Sequence, residues 1–167
     1  MSRGFVKEDD QEETPIIPPR AALPDGVTNY VTKHGLTQLK EELSTLDNKI
    51  STLDETDERE RRRALAVLNG KRNLLLERIQ SARLLDHIKD EGEIRFGATV
   101  TYTIAGMPKP ITIQIVGVDE ANVKDKKIAF TAPIARALIG KKVDETTTFQ
   151  LGNEEKKLTI KNIAYVE

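Results

Sequence analysis

Residues 36–53 read Leu-Thr-Gln-Leu-Lys-Glu-Glu-Leu-Ser-Thr-Leu-Asp-Asn-Lys-Ile-Ser-Thr-Leu, with apolar side chains at Leu36, Leu39, Leu43, Leu46, Ile50 and Leu53. Steps of three and four residues line one stripe of an α-helix, and two facing stripes make a two-stranded coil. An acidic string, Asp54-Glu55-Thr56-Asp57-Glu58, follows at once, and the spacing then resumes at Leu65, Leu68, Leu75, Ile79 and Ala82. The pattern predicts a helix from Lys33 to Leu53, a turn, and a return helix from Glu60 to Leu85. Two amphipathic helices with a short connection form an antiparallel hairpin, and at 1.5 Å per residue this one is about 30 Å long. Carboxylates therefore stand at the far tip of a rod. Thr32 is placed to cap the first helix, because its hydroxyl can accept from an amide of the opening turn. Gly70 is the weak interior position of the return helix, and Arg72 interrupts its apolar stripe.

A hairpin that buries one leucine stripe needs a second body to anchor its base, and the chain beyond it changes period. Short apolar or alternating runs predict strands at Ala98 to Ile104, Ile111 to Val118, Lys127 to Phe130, Thr146 to Leu151 and Leu158 to Tyr165. Gly106, Pro108 and Pro110 mark a hairpin loop, Gly152-Asn153 a turn, and Asp90-Glu91-Gly92-Glu93 a linker turn. Pro133 to Ile139 reads as a short helix, with proline suited to its first turn and Gly140 to its stop. The fold class is α+β: an N-terminal antiparallel α-helical coiled-coil hairpin at residues 30–86 and a domain at residues 87–167, an antiparallel sheet wrapped on one short helix. Residues 1–29 read as an extended or disordered arm, since Pro18-Pro19 forbids regular helix and the charges bunch at Lys7 to Glu13. The plainer reading of this arm is a solubilising tail, although Phe5, Val6, Ile16 and Ile17 could dock.

Composition narrows the function. The 167 residues carry 32% charged side chains and a net charge of −1, which leaves no global field for nucleic acid and requires any charged partner to be met by local patches. The absence of cysteine removes disulfides, thiol nucleophiles and cysteine-held zinc. His34 and His87 lie far apart in sequence, and neither has visible partners for a metal site. No apolar run approaches the roughly 18 residues of a membrane span, and the N-terminus is not a cationic, apolar leader. A cytoplasmic chain with no membrane partner is expected.

Phe96-Gly97-Ala98-Thr99-Val100, Ile115-Val116-Gly117-Val118-Asp119-Glu120-Ala121 and Pro133-Ile134-Ala135-Arg136-Ala137-Leu138-Ile139-Gly140-Lys141-Lys142-Val143, in that order, resemble the C-terminal motifs of the bacterial Gre (GreA/GreB) transcript-cleavage factors. Thr32 with Gly35, Leu39 and Glu41-Glu42-Leu43 is similar to the opening of that family's coiled coil. The resemblance covers residues 30 to 167. It implies an FKBP-like C-terminal domain that docks on the rim of the RNA polymerase secondary channel, and a coil that enters the channel to promote cleavage of backtracked RNA. Acids at the tip then help to hold a Mg2+ ion of the polymerase active site, because this hard cation prefers oxygen ligands and a second metal activates water for in-line attack. The chain would be no enzyme itself, would need no cofactor of its own, and would act as a monomer, nucleoid-associated through the polymerase. Two departures stand out. The family's Glu-Asn-Ala-acid-Tyr tip string is absent, and the hairpin is shorter by about two heptads, roughly 10 Å of reach when split over two helices.

The resemblance assigns Asp54, Glu55, Asp57 and Glu58 to the metal-facing tip, with Asp57 and Glu58 leading. Acids also favour the first turn of a helix through its dipole, so a solvated turn is the plainer alternative. Arg59, Arg61, Arg62 and Arg63 are candidates for contact with nascent RNA or channel walls, where guanidinium groups grip phosphate; the alternative is pairing with neighbouring acids. Thr131, Ala132, Pro133 and Arg136 match the polymerase-docking segment, or else form a helix start packed on the sheet. The competing functions are a non-cleaving secondary-channel regulator with a short coil, like the regulator of nucleoside diphosphate kinase, a peptidyl-prolyl isomerase, and a coil-pairing adaptor. The isomerase would need an aromatic-lined pocket, and the rings of Phe96, Tyr102, Phe130, Phe149 and Tyr165 are few enough that core packing claims several.

Overall fold

The computed structural model describes residues 14–85 and 92–165; the acidic run up to Glu13, His87 and the turn expected at Asp90-Glu91 lie outside them. After a short strand β1, Tyr30–Val31, the leucine stripe forms helix α1, Lys33–Ser51, and helix α2 follows at Glu58–Ser81. The two pack side by side in opposite directions. Thr32 caps α1: its backbone is extended and its hydroxyl accepts from the Gly35 amide at 2.9 Å. Leu39, Leu46 and Leu75 are buried together with Val31, and Leu36, Leu43, Leu68 and Ile79 pack around them. Arg72 breaks the stripe without breaking the pairing. Its Nε donates to Asp47 Oδ1 across the helix pair at 2.6 Å, a half-exposed ion pair that contributes up to about 1 kcal/mol.

α2 stops at Ser81 rather than Leu85 because the chain there has a better use. Arg83–Leu84 forms strand β2, which pairs in parallel with β1 through Tyr30↔Arg83 and Val31↔Leu84. The buried Asn29 amide donates to the Arg78 carbonyl at 3.0 Å and to Ser81 Oγ at 3.1 Å, which satisfies polar groups that a helix end otherwise leaves unpaired.

The remaining residues form strands β3, Ala98–Ile104, β4, Ile111–Val116, β5, Lys127–Ala129, helix α3, Pro133–Leu138, and strands β6, Thr146–Leu151, and β7, Glu154–Tyr165. The sheet order is β5-β4-β3-β7-β6. Ala98, Val100, Tyr102 and Ile104 alternate onto one face of β3, where they meet Ile113, Ile115, Leu158 and Ile160 of neighbouring strands and Ala135 and Leu138 of α3. This is the two-residue period of a sheet with one buried face. Two expectations need correction. The sheet is mixed, not antiparallel, because β5 runs parallel to β4. Its connection passes through a 3-10 turn at Val123–Asp125, long enough to bring the chain back to the same end. β7 begins at Glu154 rather than Leu158, because its polar first residues pair with the outer strand β6 through Leu151↔Glu154 and Gln150↔Glu155.

Candidate functional site

The tip of the helix pair is the connection between Thr52 and Asp57. Asp54, Glu55, Asp57 and Glu58 are all exposed, but they are not equivalent. Asp57 is the N-cap of α2, its Oδ1 accepting from the amides of Arg59 at 2.9 Å and Glu60 at 3.3 Å. Glu55 Oε1 accepts from the Asp57 amide at 3.2 Å. Those two carboxylates therefore hold the turn, and the cap also explains why α2 starts at Glu58 instead of Glu60. Asp57→Ala is expected to lower stability by about 1 kcal/mol, while Asp57→Asn, which still caps, and Glu58→Ala stay near wild type. Thermal unfolding of the three variants reads the difference.

Arg59, Arg61, Arg62 and Arg63 occupy the first turns of α2 and are exposed, so they ring the same end of the rod as the acids. Thr131 and Ala132 are half-buried and Pro133 and Arg136 exposed at the start of α3. Ala132 is the N-cap residue with no side-chain cap bond, and Pro133 takes the first turn, where a proline's missing N–H costs nothing. This segment belongs to the sheet unit and the acids to the tip. The structure does not bring the two groups together.

What joins them is a polar clamp at the base of the helix pair, in residues that the sequence reading quoted only as a motif. Asp119 and Glu120 follow β4, and both carboxylates are buried at 7% and 3% side-chain exposure. Asp119 receives Arg20 Nε of the N-terminal arm at 2.9 Å and an Arg78 guanidinium nitrogen of α2 at 3.0 Å. Glu120 accepts from the Thr32 hydroxyl, the cap of α1, and from Lys127 Nζ at 3.1 Å. Arg20 also reaches Glu42 of α1 at 2.8 Å, and Arg78 donates to the Ala21 carbonyl. Close approach is built in beside these bonds: a Cβ on Gly117 would lie 2.5 Å from the Tyr30 carbonyl oxygen, and one on Gly35 would lie 2.6 Å from Glu120 Oε1. The rings of Tyr30, Phe96 and Phe130 then meet with centroids 5.6 to 6.1 Å apart, so two of the rings weighed for an isomerase pocket serve the junction. The available signal was two adjacent acids at the end of an apolar strand, a position where burial demands partners.

Tyr102 and Glu154 have displaced pKa values. Burial raises the Tyr102 hydroxyl within the sheet, and a hydrogen bond from Lys156, with its charge, lowers the exposed Glu154 carboxyl. Neither pairs an acid with a base at a cleft. Among the described residues no group of three or more His, Asp or Glu side chains could hold a metal ion, and no helix is long and apolar enough to cross a membrane.

Residues 89–165 match the family described as "Transcription elongation factor, GreA/GreB, C-term". That span contains Asp119, Glu120 and the start of α3. The transcription elongation factor GreA of Anaeromyxobacter sp. (strain K) is 41% identical over 90 residues, 53% of this chain and 54% of the relative, so the chain spans about half the length of that relative. GreA of Ralstonia nicotianae is 29% identical over 153 residues, covering 81% of this chain and 97% of the relative. The crystal structure of GreA factor homolog 1 of Thermus thermophilus covers 83% of this chain and 99% of its own, at 20% identity and a TM-score of 0.39. The matched residues make the C-terminal part of this chain similar to GreA/GreB transcription elongation factors, and the Ralstonia relative extends that likeness over most of the chain.

Proposed function

We propose that the chain is a Gre-type transcription elongation factor that binds RNA polymerase, inserts its helix pair into the secondary channel and promotes cleavage of backtracked RNA. The observation that carries this reading is the clamp: an acid-tipped helix pair is fixed at its base to the family-matched unit by Asp119 and Glu120, so docking one end would aim the other. On this reading the helix pair is a coiled coil, supported by the three-four leucine spacing and the Asp47–Arg72 bridge. The sheet unit is an FKBP-like domain, supported by a five-stranded sheet with one short helix on its buried face. Thr131, Ala132, Pro133 and Arg136 would meet the channel rim, and Arg59, Arg61, Arg62 and Arg63 would meet nascent RNA or channel walls. A polymerase magnesium ion would supply the Lewis-acid chemistry; the tip of this chain would supply carboxylate oxygens, which must come within about 2 Å to ligate. Asp54 and Glu58 fit that role best, since Asp57 and Glu55 are engaged with backbone amides.

That engagement, with the short coil, also favours a second reading, a secondary-channel regulator that binds polymerase without cleaving. RNA shortening in a stalled elongation complex separates the two. Cleavage in the wild type that falls by at least about tenfold in Asp54→Ala or Glu58→Ala, the scale of loss when a metal's supporting ligand is removed, supports the first. Intact binding with no shortening leaves the regulator, and failure to co-purify with RNA polymerase sinks both.

A further inference from the structure

Among the described residues the sheet order β5-β4-β3-β7-β6 leaves two outer strands, and they are not alike. β5 is three residues long, and its Lys127 is bridged to Asn122 and held by Glu120. A short edge that carries a lysine is poorly suited to take another strand. β6 has six residues, Thr-Thr-Thr-Phe-Gln-Leu, in unbroken register with β7 from Thr146↔Thr159 to Leu151↔Glu154. It carries none of the charges, prolines or bulges that blunt an edge, and its threonines and phenylalanine favour extended pairing.

The hydrogen bonds on the inner side of β6 decide which backbone groups point outward. The Ile160 amide donates to the Glu145 carbonyl at 3.0 Å, in the same register that pairs Thr146 with Thr159. Antiparallel residues bond at every second position. Thr147, Phe149 and Leu151 therefore turn their amides and carbonyls to β7, and those of Thr146, Thr148 and Gln150 face the open edge. Side chains alternate between the two faces as well: Thr147 and Phe149 are half-buried, with Phe149 packed on the core, whereas Thr146, Thr148 and Gln150 are exposed. The edge is complementary to itself. Two identical antiparallel strands related by a two-fold axis can be centred on Thr148. Thr148 then exchanges both bonds with its own copy, Thr146 pairs with Gln150 of the second copy, and Thr147 lies opposite its Phe149 on the core side. Pairs of β-branched and aromatic residues stabilise a sheet, and no two charges meet within the six positions.

We propose that β6 is a self-pairing edge, through which two copies of the chain join antiparallel about Thr148 and merge their five-stranded sheets into one. Six paired residues make a small contact beside the roughly 1,200 Å² at which stable interfaces begin, so the dimer is weak and forms as concentration rises. The pairing is independent of any partner that the helix pair meets.

Sedimentation equilibrium of the full chain is expected to show monomers passing to dimers between about 1 µM and 1 mM, the weak end of the affinity scale. Thr148→Pro removes an amide that makes no bond to β7, on an edge where proline is tolerated. Thr148→Lys sets two like charges opposite each other. Each change acts twice across the axis and should weaken the dimer by about tenfold or more, the scale of two lost hydrogen bonds. Salt near about 1 M should restore part of the loss in Thr148→Lys and none in Thr148→Pro. Thr112→Lys, which puts the same charge on exposed β4, should leave the dimer unchanged. Because the chain has no cysteine, a nitroxide on Asn153→Cys labels each copy once. The two labels then stand ten residues apart along the paired strands, about 33 Å at a strand's rise per residue, a separation that pulsed electron resonance reads. Monomers throughout the range, a dimer indifferent to both Thr148 variants, an equal loss in Thr112→Lys, or no label distance near that value would overturn the proposal.

Discussion

Asp119→Ala is expected to lower the stability of the folded chain by about 3 kcal/mol, which for a domain of this size is a fall of roughly 6–12 °C in the midpoint of thermal unfolding. The carboxylate is almost fully buried, and its two guanidinium partners, Arg20 and Arg78, are themselves only 19% and 15% exposed. Truncating it leaves two cations facing each other in a partly desolvated junction. The loss belongs at the lower end of the range for buried pairs because both arginines keep other acceptors, Glu42 and the Ala21 carbonyl. Asp119→Asn should fall between, retaining acceptor geometry without charge. A change below about 1 kcal/mol, the scale of a surface pair, would show that the clamp does not hold the junction.

Leu75→Ala is expected to cost about 3 kcal/mol by a different route, the loss of transfer free energy plus the cavity left behind. Leu75 is the one buried residue of α2, at 0% exposure, and it meets Leu39, Leu46 and Val31 from the facing elements. A helix pair with so narrow a seam has few neighbours able to collapse into the gap. Leu75→Met, which nearly conserves volume, should cost less than about 1.5 kcal/mol. Denaturant melts give the magnitude. Hydrogen exchange gives the location, with protection lost along α1 and α2 and kept in β3 and β7.

The helix pair was legible because its signal is local: leucines at steps of three and four from Leu36 to Leu53 can satisfy one geometry only, and Thr32 stands where a cap belongs. The short helix at Pro133 was legible for the same reason. What stayed hidden depends on partners far away in sequence. Nothing near Leu84 announces that it will pair with Val31, so the return helix was read too long. The parallel placement of β5 is set by its path back to β4, not by any residue within it. Among the candidate site residues, the acids at 54–58 could be placed at the tip from spacing, but not divided between the two that hold the turn and the two left open, because that division rests on amide geometry. Arg20, Asp119 and Glu120 escaped as a group. Each looks ordinary in its own neighbourhood, and their meaning is a set of contacts spanning almost a hundred positions of chain, such as Arg20 to Asp119.

The parallel pairing of Tyr30–Val31 with Arg83–Leu84 means that the chain enters and leaves the helix pair through one doorway. Everything between those strands can be lengthened or shortened without moving the doorway itself. Seven residues added to each helix would carry the tip about 10 Å farther, with the clamp at Asp119 and Glu120 untouched. The length of the rod is then a dimension that added heptads can change by themselves, separately from the contacts that fix its base to the sheet unit.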